Sequence, residues 1–353
     1  MNVSKPPYKV WSMEEIRRIP WNGYNAISTF SGCGGSSLGY RMAGFRILWV
    51  NEFIPAAQAT YLANCEPYTY LDPRDIRDIK PEEILAKINL ARGELDLLDG
   101  SPPCASFSTA GSRQATWGKV KQYSETKQRT DDLFFEFVRL LEGVYPKVFV
   151  AENVIGLAKG KAKGYFLDIL QTLRSCNYRV RCKLLNAKWL GVPQARPRII
   201  FIGVRNDLGL DPVFPRPLPY QYTLRDAFAG LVNDVPPEIY FNNYAIAKEW
   251  RRLEPGGQSK TRFTLKRGHF DRPCLTVVAL GGNVSISSVT HPSEPRKFSI
   301  PELKRICSFP DDFVLTGTFM QQWERLGRAV PPVMMYHIAD TIRREILDKT
   351  REQ

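Results

Sequence analysis

The sequence is poor in the residues that build metal sites and disulfide frameworks. Only three of its 353 residues are histidine, His269, His291 and His337, and their spacing does not pattern as one metal site or as the base of a Cys–His pair. Its seven cysteines, Cys33, Cys65, Cys104, Cys176, Cys182, Cys274 and Cys307, form no CxxC pair. The odd number and the scatter argue against a disulfide scaffold and a zinc ribbon, and no metal is expected. Most of these thiols should be small, buried and inert. No run of 18 apolar residues occurs, so no membrane-spanning helix is expected. The opening stretch MNVSKPPYKVWSMEEIRRIP is too polar for a secretory signal. The expected compartment is therefore the cytoplasm. Internal repeats and low-complexity tracts are also missing, which removes solenoids and disordered arrays from consideration.

What is present in excess is positive charge. Lys and Arg number 49 against 36 Asp and Glu, a net charge of +13. Solubility alone accounts for such a surplus, but a polyanionic partner does too, and nucleic acid is the commonest one.

The first two hundred residues alternate between two textures. YNAISTFS (24–31), FRILWVNEF (45–53), LDLLDG (95–100), KVFVAEN (147–153) and RIIFIGV (198–204) are short apolar runs suited to buried strands. Residues 36–43, 55–64, 132–142 and 164–176 have helical spacing. Strand–helix alternation predicts an α/β fold of Rossmann-like type with a mostly parallel sheet, whose chemistry lies at the carboxyl ends of its strands. After residue 206 the pattern breaks into Pro-rich (211–220) and irregular sequence, then regains order at 300–309 and 331–348. Residues 1–205 are read as a catalytic and cofactor-binding domain and 206–300 as a smaller, partly β recognition domain. Residues 301–353 are read as a segment returning to the first domain.

Each strand end carries a chemical signature. FSGCGGSSLG (30–39) places glycines between a strand and a helix, where backbone can approach a ligand and free N–H groups face it. Alone it is no stronger than a tight turn. Asn51-Glu52 ends the next strand, with a carboxylate suited to ribose hydroxyls, and Asp75-Ile76 follows a third. In GSPPCASFS (100–108) two prolines stiffen the chain before Cys104, a setting that favours a reactive thiol over a buried inert one. Ala151-Glu152-Asn153-Val154 puts an acid at another strand end. QARPRIIFIG (194–203) sets Arg196 and Arg198 two apart, on one side if a single strand carries both. Pairing of this arginine pair with Glu152, or contact with a base or phosphate, fits either residue.

FSGCGG, NE, PPC-ASFS, ENV, QARPR and GRAVPP, in this order over nearly the whole chain, resemble the DNA cytosine-C5 methyltransferase family of bacterial and phage type. HPSEPRKFSIPELKRICSFPDDF (291–313) resembles its C-terminal region. The resemblance implies an S-adenosylmethionine site lined by Phe30, Gly32, Gly34, Gly35, Glu52, Asp75, Ile76, Pro103, Leu133, Arg328 and Ala329. It implies Cys104 as nucleophile at cytosine C6, Glu152 on N3 and the exocyclic amine, and Arg196 and Arg198 holding the base and neighbouring acids. The substrate would be double-stranded DNA with its target base flipped out, methylated by a monomer with a cognate restriction enzyme as a candidate partner. Residues 105–130 would form a closing lid with Gly111 and Gly118 as hinges. Expected DNA contacts are Ser106, Ser108, Arg113, Lys119, Lys121, Gln194, Lys260, Arg262 and Arg267.

The sequence departs from the family at Arg328, where bacterial members usually carry Asn. A guanidinium close to the sulfonium would repel it by about 4 kcal/mol at 4 Å and an effective dielectric near 20. Either Arg328 turns to another anion, or the donor is carboxy-S-adenosylmethionine and the product 5-carboxymethylcytosine. Other readings stay open at this level: a tRNA cytosine-C5 methyltransferase, a non-catalytic DNA-binding protein, and a nucleotide-binding oxidoreductase.

Overall fold

The computed structural model describes residues 4–103, 121–123, 126–128, 130, 132–158, 163–242, 245–262, 264–282 and 288–351. The chain forms two compact units, each assembled from three separate stretches. Residues 19–185, 197–215 and 335–353 make one, the sheet unit. Residues 1–18, 186–196 and 216–334 make the other.

The chain opens with α1 (Met13–Arg18) in the second unit. The sheet unit then lays down β1 (Asn25–Thr29), α2 (Gly35–Met42), β2 (Arg46–Asn51), α3 (Pro55–Leu62), β3 (Tyr70–Asp72), α4 (Pro81–Ile88) and β4 (Leu97–Gly100). A two-stranded antiparallel ribbon follows, β5 (Lys121–Tyr123) with β6 (Thr126–Gln128). Next come α5 (Leu133–Val144), β7 (Val148–Val154), α6 (Lys163–Ser175) and β8 (Tyr178–Asn186). The chain leaves for the second unit through β9 (Gln194–Ala195) and re-enters the sheet as β10 (Pro197–Arg205).

The seven strands order as β3-β2-β1-β4-β7-β10-β8. β3, β2, β1, β4 and β7 run parallel to one another, and β10 runs antiparallel to β7. This is the α/β sheet expected, with one reversed strand that an apolar run alone could not reveal. β1, β4 and β7 are buried along nearly their whole length, as strands covered on both faces should be. α5 buries Leu133, Phe134, Phe137, Val138, Leu140, Leu141 and Val144, a helical stripe, and stops where Tyr145 takes a left-handed conformation. Phe134, Phe137, Phe149 and Phe201 meet edge to face in this core. The final α12 (Asp348–Arg351) returns to the sheet unit's first strand: Tyr24 Oη donates to Asp348 (2.9 Å) and Arg351 to the Gly23 carbonyl (2.8 Å).

The second unit contains α7 (Leu224–Phe228), α8 (Ala245–Arg252), β11 (Lys266–Arg267), β12 (Cys274–Leu275), β13 (Val289–Thr290), α9 (Ile300–Ile306) and α10 (Phe319–Arg328). α11 (Pro332–Ile342) starts there and continues into the sheet unit. Its strands are short, β11 pairing with β13 and β12 with β9. The HPSEPRKFSIPE stretch forms a buried polar knot. Arg296 donates to both oxygens of Glu302 (2.8 Å each), and Glu302 also caps α9 through the Ser299 backbone N–H. His291 stacks on Phe228 beside this pair, and burial pushes its pKa down to about 4, so it is neutral. No helix among the described residues is long and apolar enough to cross a membrane.

Candidate active site

The glycine loop leaves β1 through two left-handed residues. Phe30 has φ 55° and Gly32 φ 56°, and a side chain at Gly32 would point into open space, nothing lying within 4 Å. The turn is therefore an open cradle of backbone. Ser31 anchors it: its N–H donates to the Asn51 carbonyl (3.0 Å) and its hydroxyl to the Ser28 carbonyl (2.9 Å). Glu52, at the end of β2, accepts from the N–H groups of Gly32 and Ile54 (2.7 Å each). α2 begins directly after Gly34 without a side-chain cap, which leaves first-turn N–H groups for a ligand. Ile76 and Leu133 are buried in the adjoining core, with Phe30 packed against it. Asp75 caps the short turn that follows it and pairs with Arg77, which also reaches Asp132. Open backbone, a carboxylate and an apolar wall fit a nucleoside-bearing cofactor.

The ends of β4 and β7 are tied together. Asn153 Nδ2 donates to the Pro102 carbonyl (3.3 Å), fixing the turn that leads through the half-buried Pro103. Gly100 has to be glycine here: a Cβ would sit 2.5 Å from Phe137 and 2.6 Å from the Thr29 hydroxyl. Arg198 Nε lies 2.6 Å from Glu152 Oε1, with both side chains nearly buried. Arg198 stands opposite Val154 in the β10–β7 register and Glu152 opposite Ile200, so the pair is diagonal across one sheet face. Cys104, Ser106, Ser108, Arg113 and Lys119 lie outside the described residues, as do the Lys121 side chain and most of the 105–130 stretch.

The expectation that Arg196 and Arg198 share one strand face needs correction. β9 ends at Ala195 and β10 begins at Pro197, so Arg196 sits in the break and the two-residue period does not connect them. Within the second unit Arg196 donates to the carbonyls of Val277 (3.2 Å), Gly327 (2.9 Å) and Arg328 (3.2 Å). It fastens the GRAVPP stretch, whereas Arg198 holds an acid. Arg328 itself pairs with Glu324 one helical turn back (2.7 Å), and Ala329 caps α10. Gln194 is fully enclosed. Its amide donates to Cys307 Sγ (3.2 Å) and accepts from the Val277 N–H (3.3 Å), an internal brace instead of a DNA-facing group. Arg267 likewise turns inward, donating to the Pro292 and Leu253 carbonyls (2.7 and 2.6 Å) with its guanidinium 4.1 Å over Trp250. Lys260 and Arg262 remain exposed, Arg262 with a Glu249 partner at 3.2 Å.

Sequence reasoning passed over Asp99. It is 1% exposed near the end of β4, and its carboxylate accepts from Ser28 Oγ (2.7 Å) and Tyr40 Oη (3.1 Å), with the Ser36 hydroxyl also nearby. Burial, chiefly, and the Glu152 carboxylate push its pKa up while the hydroxyls pull it down, for a net value of about 7. The available signal was the second of two acids in LDLLDG, the one that falls inside the buried LLDG strand.

The C-5 cytosine-specific DNA methylase model matches residues 24–344. The type II methyltransferase M1.HphI of Haemophilus parahaemolyticus is 32% identical over 336 residues, covering 90% of this chain and 86% of that protein. M.NgoPII of Neisseria gonorrhoeae is 30% identical, covering 95% and 99%. A solved Escherichia coli structure described as a prophage-encoded DNA modification methyltransferase superposes with a TM-score of 0.74 at 22% identity, covering 92% and 100%. The Spodoptera frugiperda DNMT2 structure has a TM-score of 0.65 at 17% identity, covering 94% and 100%; these two likenesses speak for the fold.

Proposed function

The chain belongs to the C-5 cytosine-specific DNA methylase family, and from that premise we propose that it transfers a methyl group from S-adenosylmethionine to C5 of a flipped cytosine in double-stranded DNA, as the modification half of a type II restriction–modification pair. The observation that carries the site reading is the buried Glu152–Arg198 pair on the strand beside the Pro102–Pro103 turn.

C5 of cytosine is a weak nucleophile. In this reading the Cys104 thiolate bonds to C6 and the ring electron pair moves toward C5, which becomes an enamine-like carbon. Glu152 accepts from the exocyclic amine and shares a proton, taken up from solvent, with N3, where negative charge develops, and Arg198 keeps that carboxyl group in place. Once C5 carries the methyl group, its proton leaves and the thiol is eliminated. The cofactor supplies an electrophilic methyl. Phe30, Gly32, Gly34, Gly35, Glu52, Asp75, Ile76, Pro103 and Leu133 hold it, with Arg328 and Ala329 assigned to its methyl end by resemblance. Arg196 is assigned to the base and its neighbouring acids by resemblance alone, its described contacts being to the Val277, Gly327 and Arg328 carbonyls. Ser106, Ser108, Arg113, Lys119 and Lys121 are assigned to the flipped strand, and the exposed Lys260 and Arg262 to phosphates.

Glu324, shared between Arg325 and Arg328, gives the Arg328 guanidinium an anionic partner within its own helix, a reason to read the donor as plain S-adenosylmethionine. Nucleoside mass spectrometry of plasmid DNA treated with protein and either donor tests this. Efficient 5-methylcytosine from S-adenosylmethionine is expected. Dominant 5-carboxymethylcytosine would transfer the role to carboxy-S-adenosylmethionine, and Arg328→Asn should then restore the ordinary donor. Modification of tRNA in place of duplex DNA would overturn the substrate. A covalent complex with 5-fluorocytosine DNA, lost in Cys104→Ser, is expected of an active nucleophile, because fluorine blocks the proton loss that elimination requires.

A further inference from the structure

The mechanism leaves Asp99 without a task, yet its surroundings are unusual for a buried acid. The carboxylate is held by two hydroxyls, Ser28 on β1 and Tyr40 on α2, with the Ser36 hydroxyl of α2 also nearby. Among the described residues it has no ion pair. The titratable groups facing it are Tyr40 on α2, Tyr61 on α3 and Glu152 on β7, none of them a cation. Each hydroxyl can donate to an ionised carboxylate, and each can accept from a protonated one. The shell therefore accommodates both forms without rearrangement of the strands.

Its place in the fold matters as much as its shell. Ser36 lies in the first turn of α2, immediately after Gly34 and Gly35. The Ser28 backbone carbonyl receives the Ser31 hydroxyl that anchors the glycine loop. Asp99 is thus tied through Ser28 to the strand from which the glycine loop leaves, and through Tyr40 to the helix that follows the loop. S-adenosylmethionine carries a net positive charge, through its sulfonium, and the demethylated product is neutral at that sulfur. In a low-dielectric floor a carboxylate discriminates between these two more strongly than any surface acid.

We propose that Asp99 is a protonatable counter-charge for the cationic cofactor, ionised when the sulfonium is loaded and protonated when the neutral thioether remains. The inference rests on the cofactor reading of the glycine loop. Asp99 gives its proton to solvent as the cation binds. When the S–CH3 bond breaks, its electron pair stays on sulfur, the positive charge leaves the pocket, and the carboxyl takes a proton back from solvent. With its carboxyl titrating near pH 7, this exchange falls within the physiological range. Asp99 touches no reacting atom, so it is a positioning and charge-selecting residue, separate from Cys104 and Glu152.

Isothermal titration calorimetry of the full-length protein, in buffers of different ionisation enthalpy, reads the proton directly. S-adenosylmethionine binding should release protons between about pH 6 and 7, and its affinity should rise about tenfold from pH 5.5 to 7.5 for each unit by which the bound cation lowers the Asp99 pKa. S-adenosylhomocysteine should release none in this window, with affinity flat over the same range. Asp99→Asn should abolish both the release and the pH dependence. Should that variant fold poorly, Tyr40→Phe retains the acid but removes one donor from its ionised form, and the release window should move to higher pH. S-adenosylmethionine binding that is proton-neutral from pH 5.5 to 7.5, or release that persists in Asp99→Asn, overturns the inference while leaving the cofactor site intact. Absence of any S-adenosylmethionine binding by the wild type overturns the cofactor reading and the inference with it.

Discussion

Replacing Arg198 with Met keeps the length and most of the volume of the side chain and deletes its charge. Glu152 then stays at the end of β7, nearly buried, without the guanidinium that sits 2.6 Å from its oxygen. With charge centres near 4 Å and an effective dielectric near 20, the lost attraction is about 4 kcal/mol. Removing one member of a buried pair has a cost of this same order, roughly 3–5 kcal/mol, because the remaining charge is left desolvated. The expected loss for Arg198→Met is therefore about 3 kcal/mol, after allowance for the 11–12% of each side chain that solvent reaches. Glu152→Gln in the Arg198→Met background removes the orphaned charge and should recover about 2 kcal/mol of it. The assay is a double-mutant cycle by urea denaturation, followed through the sheet unit's transition, with methyl transfer measured on the same four proteins. Stability should be non-additive, while activity stays low in every variant lacking Glu152. Additivity within about 0.5 kcal/mol would show that the two residues do not act as a pair and would refute the argument.

Other expectations follow from the same contacts. Asp99 has a folded pKa of about 7 against an ordinary 3.8, so the stability tied to its neutral form is fully present below about pH 4 and lost as pH rises through 7. The difference is about 4 kcal/mol, and denaturation of Asp99→Asn from pH 4 to 8 should lack it; identical pH slopes for both proteins would count against a neutral buried acid. Gly100→Ala forces a Cβ within 2.5 Å of the Phe137 ring, and a loss of about 2 kcal/mol or more is expected in thermal or urea melts. Arg267→Met should destabilise the second unit by about 1–3 kcal/mol, because the Pro292 and Leu253 carbonyls lose their donor. Lys260→Ala should leave stability within about 0.5 kcal/mol and lower the salt slope of DNA binding by about one; an unchanged slope would remove Lys260 from the phosphate contacts.

Much of the sheet unit was legible because its signals are local. β1 and β7 are buried and carry apolar stretches, residues 26–27 and 148–151, and α5 repeats its large side chains at helical spacing. The chemistry at their ends stood out for the same reason: Glu52, Glu152 and the Pro102–Pro103 turn each follow directly on such a run. Other elements depend on non-local information. β3 is three residues long, with one of them buried. β8 alternates basic and apolar residues, Tyr178 and Val180 buried between exposed Arg179 and Arg181, which is how an edge strand protects itself. The reversal of β10 and the break at Arg196 depend on the excursion of residues 186–196 into the second unit. α10 went unread although Thr318 and Gln321 form a capping box at its start, a signal the sequence did carry.

The interleaving of the two units has a consequence for the nascent chain. Residues 1–18 are synthesised first but belong with residues made near the end: the Met13 N–H bonds to the Asp312 carboxylate across 299 positions, and Tyr8 Oη donates to the Arg305 carbonyl. At translation speeds of roughly 5–20 residues per second, α1 waits about 15–60 s for its partner. The sheet unit waits too, since β10 and α12 flank a long insertion. Neither unit can close while most of the polypeptide is still on the ribosome, so a prematurely terminated product contains no finished half. Modification competence should therefore appear abruptly, only after full-length chains are released, and a slow codon run before residue 300 would delay it without trapping an active fragment.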